Sequence, residues 1–256
     1  MRIVLFAAAA ITLLGFAPAT TQAAGEVVLD HQEWSFDGPF GRFDRQQLQR
    51  GFQVYREICS SCHGLDYIAF RNLKAIGYSE DQTKVLASEY TLEECCDDQG
   101  DIFDRPAIPA DYMPNPYPNE QFARASNNGA LPPDLSLMTK ARHGGPDYMY
   151  SLIIGYQDPP AEMEAEMMDG MYYNTVFEGN QIAMAQQLFD ELIEYSDGTP
   201  ATTEQMAKDV SAFLHWAAEP KLEVRKQTGI RVLLFTFIFT VLAYFLKRRI
   251  WADVKH

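Results

Sequence analysis

Cys59-Ser60-Ser61-Cys62-His63 is the stretch that decides the fold. Two cysteines separated by two residues and followed at once by a histidine form the attachment sequence of a c-type haem. One alternative is a zinc half-site, but such a site needs a second ligand pair, and the chain has no second C-x-x-C. The other alternative is a redox dithiol, which is expected in a βαβ pattern. The motif therefore predicts one haem c, bound covalently through Cys59 and Cys62, with His63 as an iron ligand.

The first 23 residues predict a signal peptide. Met1-Arg2 begins the chain, an apolar core runs from Ile3 to Phe16, and small residues follow as far as Ala24, with cleavage expected after Ala23. An N-terminal membrane anchor is the alternative, but the apolar core is short and ends in small residues and threonines. The domain that follows is expected outside the cytoplasm, in the periplasm of a bacterial cell.

The C-terminal segment predicts a membrane anchor. Residues 230–246 are apolar apart from Arg231 and two threonines, and Lys247-Arg248-Arg249 follow directly. A helix over this run would span about 25 Å, near the lower limit for crossing a bilayer. A buried core helix is disfavoured by the terminal position and the basic exit. We expect a haem domain at 24–227, a transmembrane helix at 228–248 and a cytoplasmic tail at 249–256.

The chain is acidic, with a formal net charge of −14 over 256 residues. Nucleic-acid-binding proteins usually present a basic face, so the balance argues against a nucleic acid partner. It favours a basic partner or solubility alone, and composition does not separate these two.

Apolar periodicity predicts a mainly helical domain. Leu48, Phe52, Tyr55 and Cys59 recur on one face of a helix that begins near Asp44 and delivers the haem cysteines. An aromatic arm at 26–45 is expected to pack against the domain or a neighbouring subunit. Further helices are predicted at 67–73, 80–89, 134–142 and 147–154, with a proline-rich loop at 106–118 and an acidic loop at 158–171.

Cys95 and Cys96 lie in an acidic insert, residues 93–104. Because they are adjacent, they cannot join two distant loops to each other. Free thiols, a bond between the two neighbours and pairing with another chain all remain open. No catalytic role is predicted for either cysteine.

An electron-transfer haem needs a second axial ligand, and methionine gives the iron a higher potential than histidine does. The chain has ten methionines, and their spacing alone does not choose among them. Met184 stands in an apolar island, whereas the methionines of residues 163–171 lie in a charged loop that suits an iron ligand poorly. His215 is a rival ligand, but its apolar, helix-like surroundings predict a packing histidine with satisfied hydrogen bonds.

The ordered set of motifs resembles the cytochrome c1 family over nearly the whole mature chain. The matching stretches are Arg50-Gly51-Phe52-Gln53-Val54-Tyr55 before the haem motif, Asn127-Asn128-Gly129-Ala130-Leu131-Pro132-Pro133-Asp134-Leu135-Ser136, Ala141-Arg142-His143-Gly144-Gly145, Asp197-Gly198-Thr199-Pro200-Ala201-Thr202, and Ala207-Lys208-Asp209-Val210 through Glu219-Pro220 to the anchor. The C-x-x-C-H motif alone indicates only a haem, whereas this ordered set is specific to one family.

The resemblance implies a mainly α, class I cytochrome c-type haem domain with a single C-terminal transmembrane helix. It implies that Met184 is the sixth iron ligand, opposite His63, that Arg142 faces a haem propionate, and that Tyr148 lies close by. The residues that would line the haem crevice are Asn127, Ala130, Pro133, Leu152 and Phe177. Glu178 and Gln186-Gln187 stand where many relatives carry prolines, so we expect a less rigid Met184 loop.

The resemblance further implies the haem c subunit of the cytochrome bc1 complex, ubiquinol–cytochrome c reductase. The Rieske iron–sulfur protein, reduced by quinol oxidation at cytochrome b, would pass one electron to this haem, which would reduce a soluble or membrane-attached cytochrome c. The chain would do no bond-making of its own, and would lie in a bacterial inner membrane with its haem domain on the periplasmic side. The alternatives are a haem enzyme with an open sixth coordination site, and an anchored haem sensor or assembly protein.

Overall fold

Helices dominate residues 28–254, the part of the chain that this computed structural model describes. The α-helices there are α1 (Arg45–Glu57), α2 (Glu80–Ser88), α3 (Glu120–Ser126), α4 (Met138–Ala141), α5 (Pro146–Ile154), α6 (Ala161–Glu164), α7 (Thr203–Ala218) and α8 (Leu222–Ile250). Three 3₁₀ segments join them at Cys59–Ser61, Phe70–Ile76 and Glu178–Asn180. The mainly α prediction is confirmed, while the predicted signal peptide, residues 1–23, lies outside the described residues.

The core forms where α1 crosses α7. Asp44 caps α1, since its carboxylate accepts the backbone N–H of Gln46 at 2.9 Å. Gly51 lies at the crossing, where an added Cβ would collide with the backbone of Asp209 and come within 2.7 Å of the Phe213 Cβ. The missing side chain lets the two backbones approach, and so the end of α1 that carries the cysteine motif is placed against α7.

The predicted acidic insert forms a β-hairpin. β1 (Thr91–Glu94) pairs antiparallel with β2 (Phe103–Pro106), with Thr91 opposite Pro106. Cys95 and Cys96 are joined to each other by a disulfide next to the end of β1, which is one of the three states that the sequence leaves open. Strands of four residues give too short an alternation to predict the hairpin from periodicity.

Two predicted helices differ from those observed. The helix predicted at 134–142 shortens to α4, because Asp134 accepts the backbone N–H groups of Asp66 and Ser136, each at 2.8 Å, and so forms a turn instead. The stretch predicted at 67–73 is the 3₁₀ segment Phe70–Ile76, which ends at Gly77 with φ +106°. The acidic loop at 158–171 contains one helical turn, α6.

Among the described residues, α8 is the one helix long and apolar enough to cross a membrane, and an 18-residue stretch of it has a mean hydropathy of 2.1. Its 29 residues span about 44 Å. Its first turn lies on the domain, where the Glu223 carboxylate accepts bonds from the Phe43 N–H and the Arg45 guanidinium, both at 2.9 Å. The helix therefore begins before the predicted anchor at 228–248, and its first turns belong to the domain.

Candidate haem-binding site

A cavity of about 520 Å³ lies between the cysteine motif, α5, the 126–135 loop and α7. α5 contributes Leu152 to its wall, and α7 contributes Val210 and Leu214. All of the predicted site residues line this cavity, and they are Cys59, Cys62, His63, Asn127, Ala130, Pro133, Arg142, Tyr148, Leu152, Phe177 and Met184. Residues that are far apart in the sequence therefore meet around one space.

The cysteine motif folds into a tight turn just after α1. The backbone N–H groups of Cys62 and His63 donate to the Cys59 carbonyl at 3.1 and 2.9 Å, so the motif presents both thiols and the imidazole to the same cavity. Burial raises the pKa of the Cys59 thiol to about 12, and the neighbouring Cys62 adds to the rise.

The imidazole of His63 is oriented by a backbone carbonyl. Its Nδ1 lies 2.8 Å from the carbonyl oxygen of Pro133. A carbonyl oxygen only accepts, so Nδ1 carries the hydrogen and Nε2 keeps a lone pair for a metal ion. Burial lowers the pKa of His63, which favours the neutral ring that an iron ligand requires.

The start of the 127–136 stretch is fastened to α3 and to the loop before it. The side-chain amide of Asn127 donates to the Ala123 carbonyl at 2.7 Å and to the Tyr117 hydroxyl at 3.0 Å. The chain then turns at Asn128 and Gly129, whose φ values are +51° and +88°, in the region that glycine and asparagine tolerate best. This turn directs residues 130–135 along the cavity, where Ala130 and Pro133 form part of the wall.

The loop that carries Met184 is built on a small ribbon and one buried asparagine. β3 (Tyr172–Tyr173) pairs with β4 (Gln181–Ile182). The fully buried Asn174 donates to the Leu152 carbonyl of α5 at 2.8 Å and accepts the Phe177 N–H at 3.1 Å. Met184 belongs to the same apolar cluster as Leu152, Phe177 and Tyr148. The methionine is thereby placed in the cavity wall.

Arg142 lies at the C-terminal end of α4, with an exposed side chain. Its guanidinium donates only to the Ala141 carbonyl, at 3.3 Å, among the described residues. The remaining donors are free to bind a carboxylate, for which a guanidinium has matching geometry.

His215 packs as predicted, but its hydrogen bonding differs from the prediction. It does not line the cavity, and its ring stacks on that of Phe36 with centroids 4.6 Å apart. Its Nδ1 is buried and has no hydrogen-bond partner within residues 28–254. The prediction that the ring has satisfied hydrogen bonds is therefore wrong for this nitrogen. Phe36 comes from the aromatic arm, which is distant in the sequence, and the pattern around His215 does not reveal this neighbour.

The sequence prediction missed several residues near the cavity, among them Tyr156, Asn174 and Leu29. The Tyr156 hydroxyl donates to the Met184 carbonyl at 2.9 Å, and Asn174 supplies the bonds described above. Leu29, from the start of the described chain, packs in the apolar cluster with Met184. A glycine-tyrosine pair at 155–156 and an asparagine in an aromatic run carry no periodic signal, so residue spacing could not have found them.

The residues present fit a c-type haem. The cavity volume falls within the range of cofactor sites, roughly 300–1,000 Å³. Two thiols, an imidazole with a free lone pair and a methionine thioether form the donor set that such a haem requires. A helical domain with this site, followed by one apolar helix, has the architecture of a membrane-anchored c-type cytochrome.

Comparison with known proteins gives the family. The chain matches the Cytochrome C1 family over residues 34–254, and it belongs to that family. It is 50% identical over 246 residues to cytochrome c1 of Rhodospirillum rubrum, covering 91% of this chain and 90% of that protein. It is 50% identical over 224 residues to the cytochrome b-c1 complex catalytic subunit of Candida albicans, covering 87% and 77%.

A third relative is cytochrome b/c1 of Bradyrhizobium diazoefficiens, which is 48% identical over 242 residues, 86% of this chain and 35% of that protein. Family membership implies a c-type haem and supports a role in electron transport as a haem subunit of the bc1 complex. Together with α8, the bacterial relatives fit a membrane-anchored protein.

Proposed function

We propose that this chain relays single electrons from the Rieske iron–sulfur protein to a cytochrome c within a bc1 complex. The observation that carries the proposal is the cavity whose wall includes both His63 and Met184. With these two ligands, a c-type haem exchanges one electron between ferrous and ferric iron and offers no open position to a substrate. The site is therefore suited to passing electrons on and not to making bonds.

Each wall residue has a role in this proposal. Cys59 and Cys62 would hold the haem through thioethers, His63 would bind the iron through Nε2, and Met184 would supply the second iron ligand. Arg142 pairs with a propionate, and Tyr148 lies close to it. Asn127, Ala130, Pro133, Leu152 and Phe177 exclude water from the ring, which strengthens each electrostatic interaction inside the crevice.

We further propose where the domain lies and what it meets. Residues 1–23 are removed, residues 24–227 form the haem domain on the periplasmic side of a bacterial inner membrane, residues 228–248 cross the bilayer, and residues 249–256 stay in the cytoplasm. The signal peptide expected at residues 1–23 supports this orientation, whereas basic residues flank the apolar run on both sides and do not set it by themselves. Cytochrome b and the Rieske protein are the proposed partners within the membrane, and the name of the Bradyrhizobium relative, which joins b and c1, supports the first.

Two matched pairs of cysteines test the haem attachment. The variant Cys59→Ser/Cys62→Ser should lose haem staining after denaturing electrophoresis, because no thioether can form. The control Cys95→Ser/Cys96→Ser removes the same number of thiols from the hairpin and should keep full staining. Equal staining of both variants would contradict covalent attachment through Cys59 and Cys62.

Purification tests the relay. A tagged chain isolated from its own membranes in a mild detergent should carry cytochrome b and the Rieske protein with it, and added quinol should reduce its haem. Recovery of the chain alone, with a haem that quinol leaves oxidised, would contradict the relay and favour a sensing or assembly role.

A further inference from the structure

The loop that carries Met184, residues 184–188, makes one hydrogen bond to another part of the described chain. Residues 161–199 contain no proline, so the backbone gains no rigidity from ring constraints. The glutamines that follow Met184 donate only locally, Gln186 to the Leu188 carbonyl and Gln187 to the Ala185 carbonyl. Such bonds shape the loop but do not fasten it to another element.

Tyr156 provides the fastening. Its hydroxyl donates to the Met184 carbonyl at 2.9 Å, across 28 positions of sequence. Among the described residues, no other hydrogen bond joins residues 184–188 to a different part of the chain. The bond therefore acts on the backbone of a residue that lines the cavity, Met184.

The position of Tyr156 is itself well fixed. It follows Gly155 at the end of α5, and its backbone bridges to that of Asn174, the asparagine that joins α5 to the Phe177 turn. Its ring packs in the apolar cluster that includes Met184.

We propose that Tyr156 is a positioning residue, whose hydroxyl holds the Met184 backbone so that the thioether stays on the iron. The inference rests on the proposed ligation by His63 and Met184. Without the bond, the carbonyl of Met184 would have to find water or another donor, and the loop would open more often. Ligand release, carbon monoxide binding and the midpoint potential would all report that opening.

The test compares Tyr156→Phe with the wild type in the full-length, haem-loaded protein. The variant keeps the ring and loses only the hydroxyl. We expect the apparent affinity of the reduced protein for carbon monoxide to rise roughly 2- to 10-fold, the range that one net hydrogen bond allows. The midpoint potential should fall, and release of Met184 from the ferric iron at high pH should begin at lower pH.

Tyr150→Phe is the matched control. Tyr150 is buried on α5 but does not line the cavity, and it makes no hydrogen bond to the loop. This variant should match the wild type in carbon monoxide affinity, potential and pH of ligand release. Tyr156→Leu, which also lacks the donor and is smaller, replaces Tyr156→Phe if the latter does not accumulate.

The outcomes distinguish a failure of the positioning role of Tyr156 from a failure of the proposed iron ligation by His63 and Met184. If the wild type binds carbon monoxide as readily as Met184→Leu, the proposed ligation fails. If the wild type resists carbon monoxide and Tyr156→Phe behaves identically, the positioning role is overturned. Failure of both Tyr156 variants to accumulate, while Tyr150→Phe does, would assign Tyr156 to folding and contradict the inference as well.

Discussion

The Nδ1 atom of His63 lies 2.8 Å from the carbonyl oxygen of Pro133. This hydrogen bond joins the two most informative stretches of the sequence, the cysteine motif and the 127–136 segment. It fixes the ring plane and the tautomer of the imidazole, so Nε2 is the nitrogen left for a metal. The geometry of the candidate site thus depends on how firmly the 127–136 segment is held.

Asp134 is predicted to hold that segment. Its two carboxylate oxygens accept the N–H groups of Asp66 and Ser136, each at 2.8 Å. Replacing it with alanine should lower the free energy of unfolding by about 2–4 kcal/mol, since two charge-assisted bonds are lost. Urea unfolding checks this, with the exposed Asp158→Ala as control. Equal stability of the two variants would contradict the role of Asp134.

Gly51 is predicted to set the spacing of α1 and α7. In Gly51→Ala the new methyl group would collide with the Asp209 backbone, so the helices must separate and the unfolding free energy should fall by about 1–3 kcal/mol. Gly229→Ala is the control, because a Cβ at this helical position meets nothing within 4 Å. Thermal unfolding should show a lower Tm for Gly51→Ala alone, and an unchanged Tm would mean that the crossing is not tight.

His215 is predicted to make the domain less stable in acid. Burial lowers its pKa below the usual 6.5, so the unfolded chain takes up a proton near pH 6.5 while the folded chain does not. The stabilising contribution of the neutral ring is therefore complete above pH 6.5 and is lost as the pH falls, by up to about 1.4 kcal/mol per pH unit.

The measurement is urea unfolding between pH 5 and 8 for the wild type and His215→Phe. The variant should lose less stability on acidification, because it has no proton to take up in the unfolded state. His143→Gln, at an exposed position, is the control and should follow the wild type. Parallel curves for the wild type and His215→Phe would contradict the prediction.

The acidic segment 158–169 is predicted to attract a basic cytochrome c. Its carboxylates are exposed. The segment lies beside β4, because the Met168 N–H donates at 2.8 Å to the side chain of Gln181, and the other residue of β4, Ile182, lines the cavity. Glu164→Gln/Glu166→Gln should slow association roughly 2- to 10-fold at low salt, and the difference should shrink as salt screens the charges.

The hairpin supplies the matched control for this prediction. Asp98→Asn/Asp104→Asn removes two exposed charges from a part of the chain that does not line the cavity, and should slow association less. Stopped-flow mixing over a range of ionic strength measures both variants. A wild-type rate that does not change with salt would contradict electrostatic docking.

Much of the fold and site could be predicted because the signals are local. The cysteine motif is contiguous, the helix before it repeats its apolar residues on one face, and Pro146–Ile154 was bounded by glycines and a proline. The crevice residues came from the family resemblance, and every one of them lines the cavity. The spacing of the residues alone did not single out Met184 among the ten methionines.

The rest depends on contacts that the sequence does not encode locally. The bond from Tyr156 to the Met184 carbonyl joins a side chain to a backbone atom, and any residue could have supplied that carbonyl. His215 meets Phe36 only because the aromatic arm folds back onto α7. The shortening of the helix after Asp134 follows from a partner, Asp66, that lies on another segment.

A redox titration of the purified protein, with carbon monoxide added to the reduced form, tests the central claim most directly. Ligation of the iron by His63 and Met184 predicts a high midpoint potential and only weak binding of carbon monoxide, whereas Met184→Leu should have a lower potential and bind the gas readily. A wild-type protein with a low potential that binds carbon monoxide readily would contradict the claim, and a haem with an open sixth site would take its place.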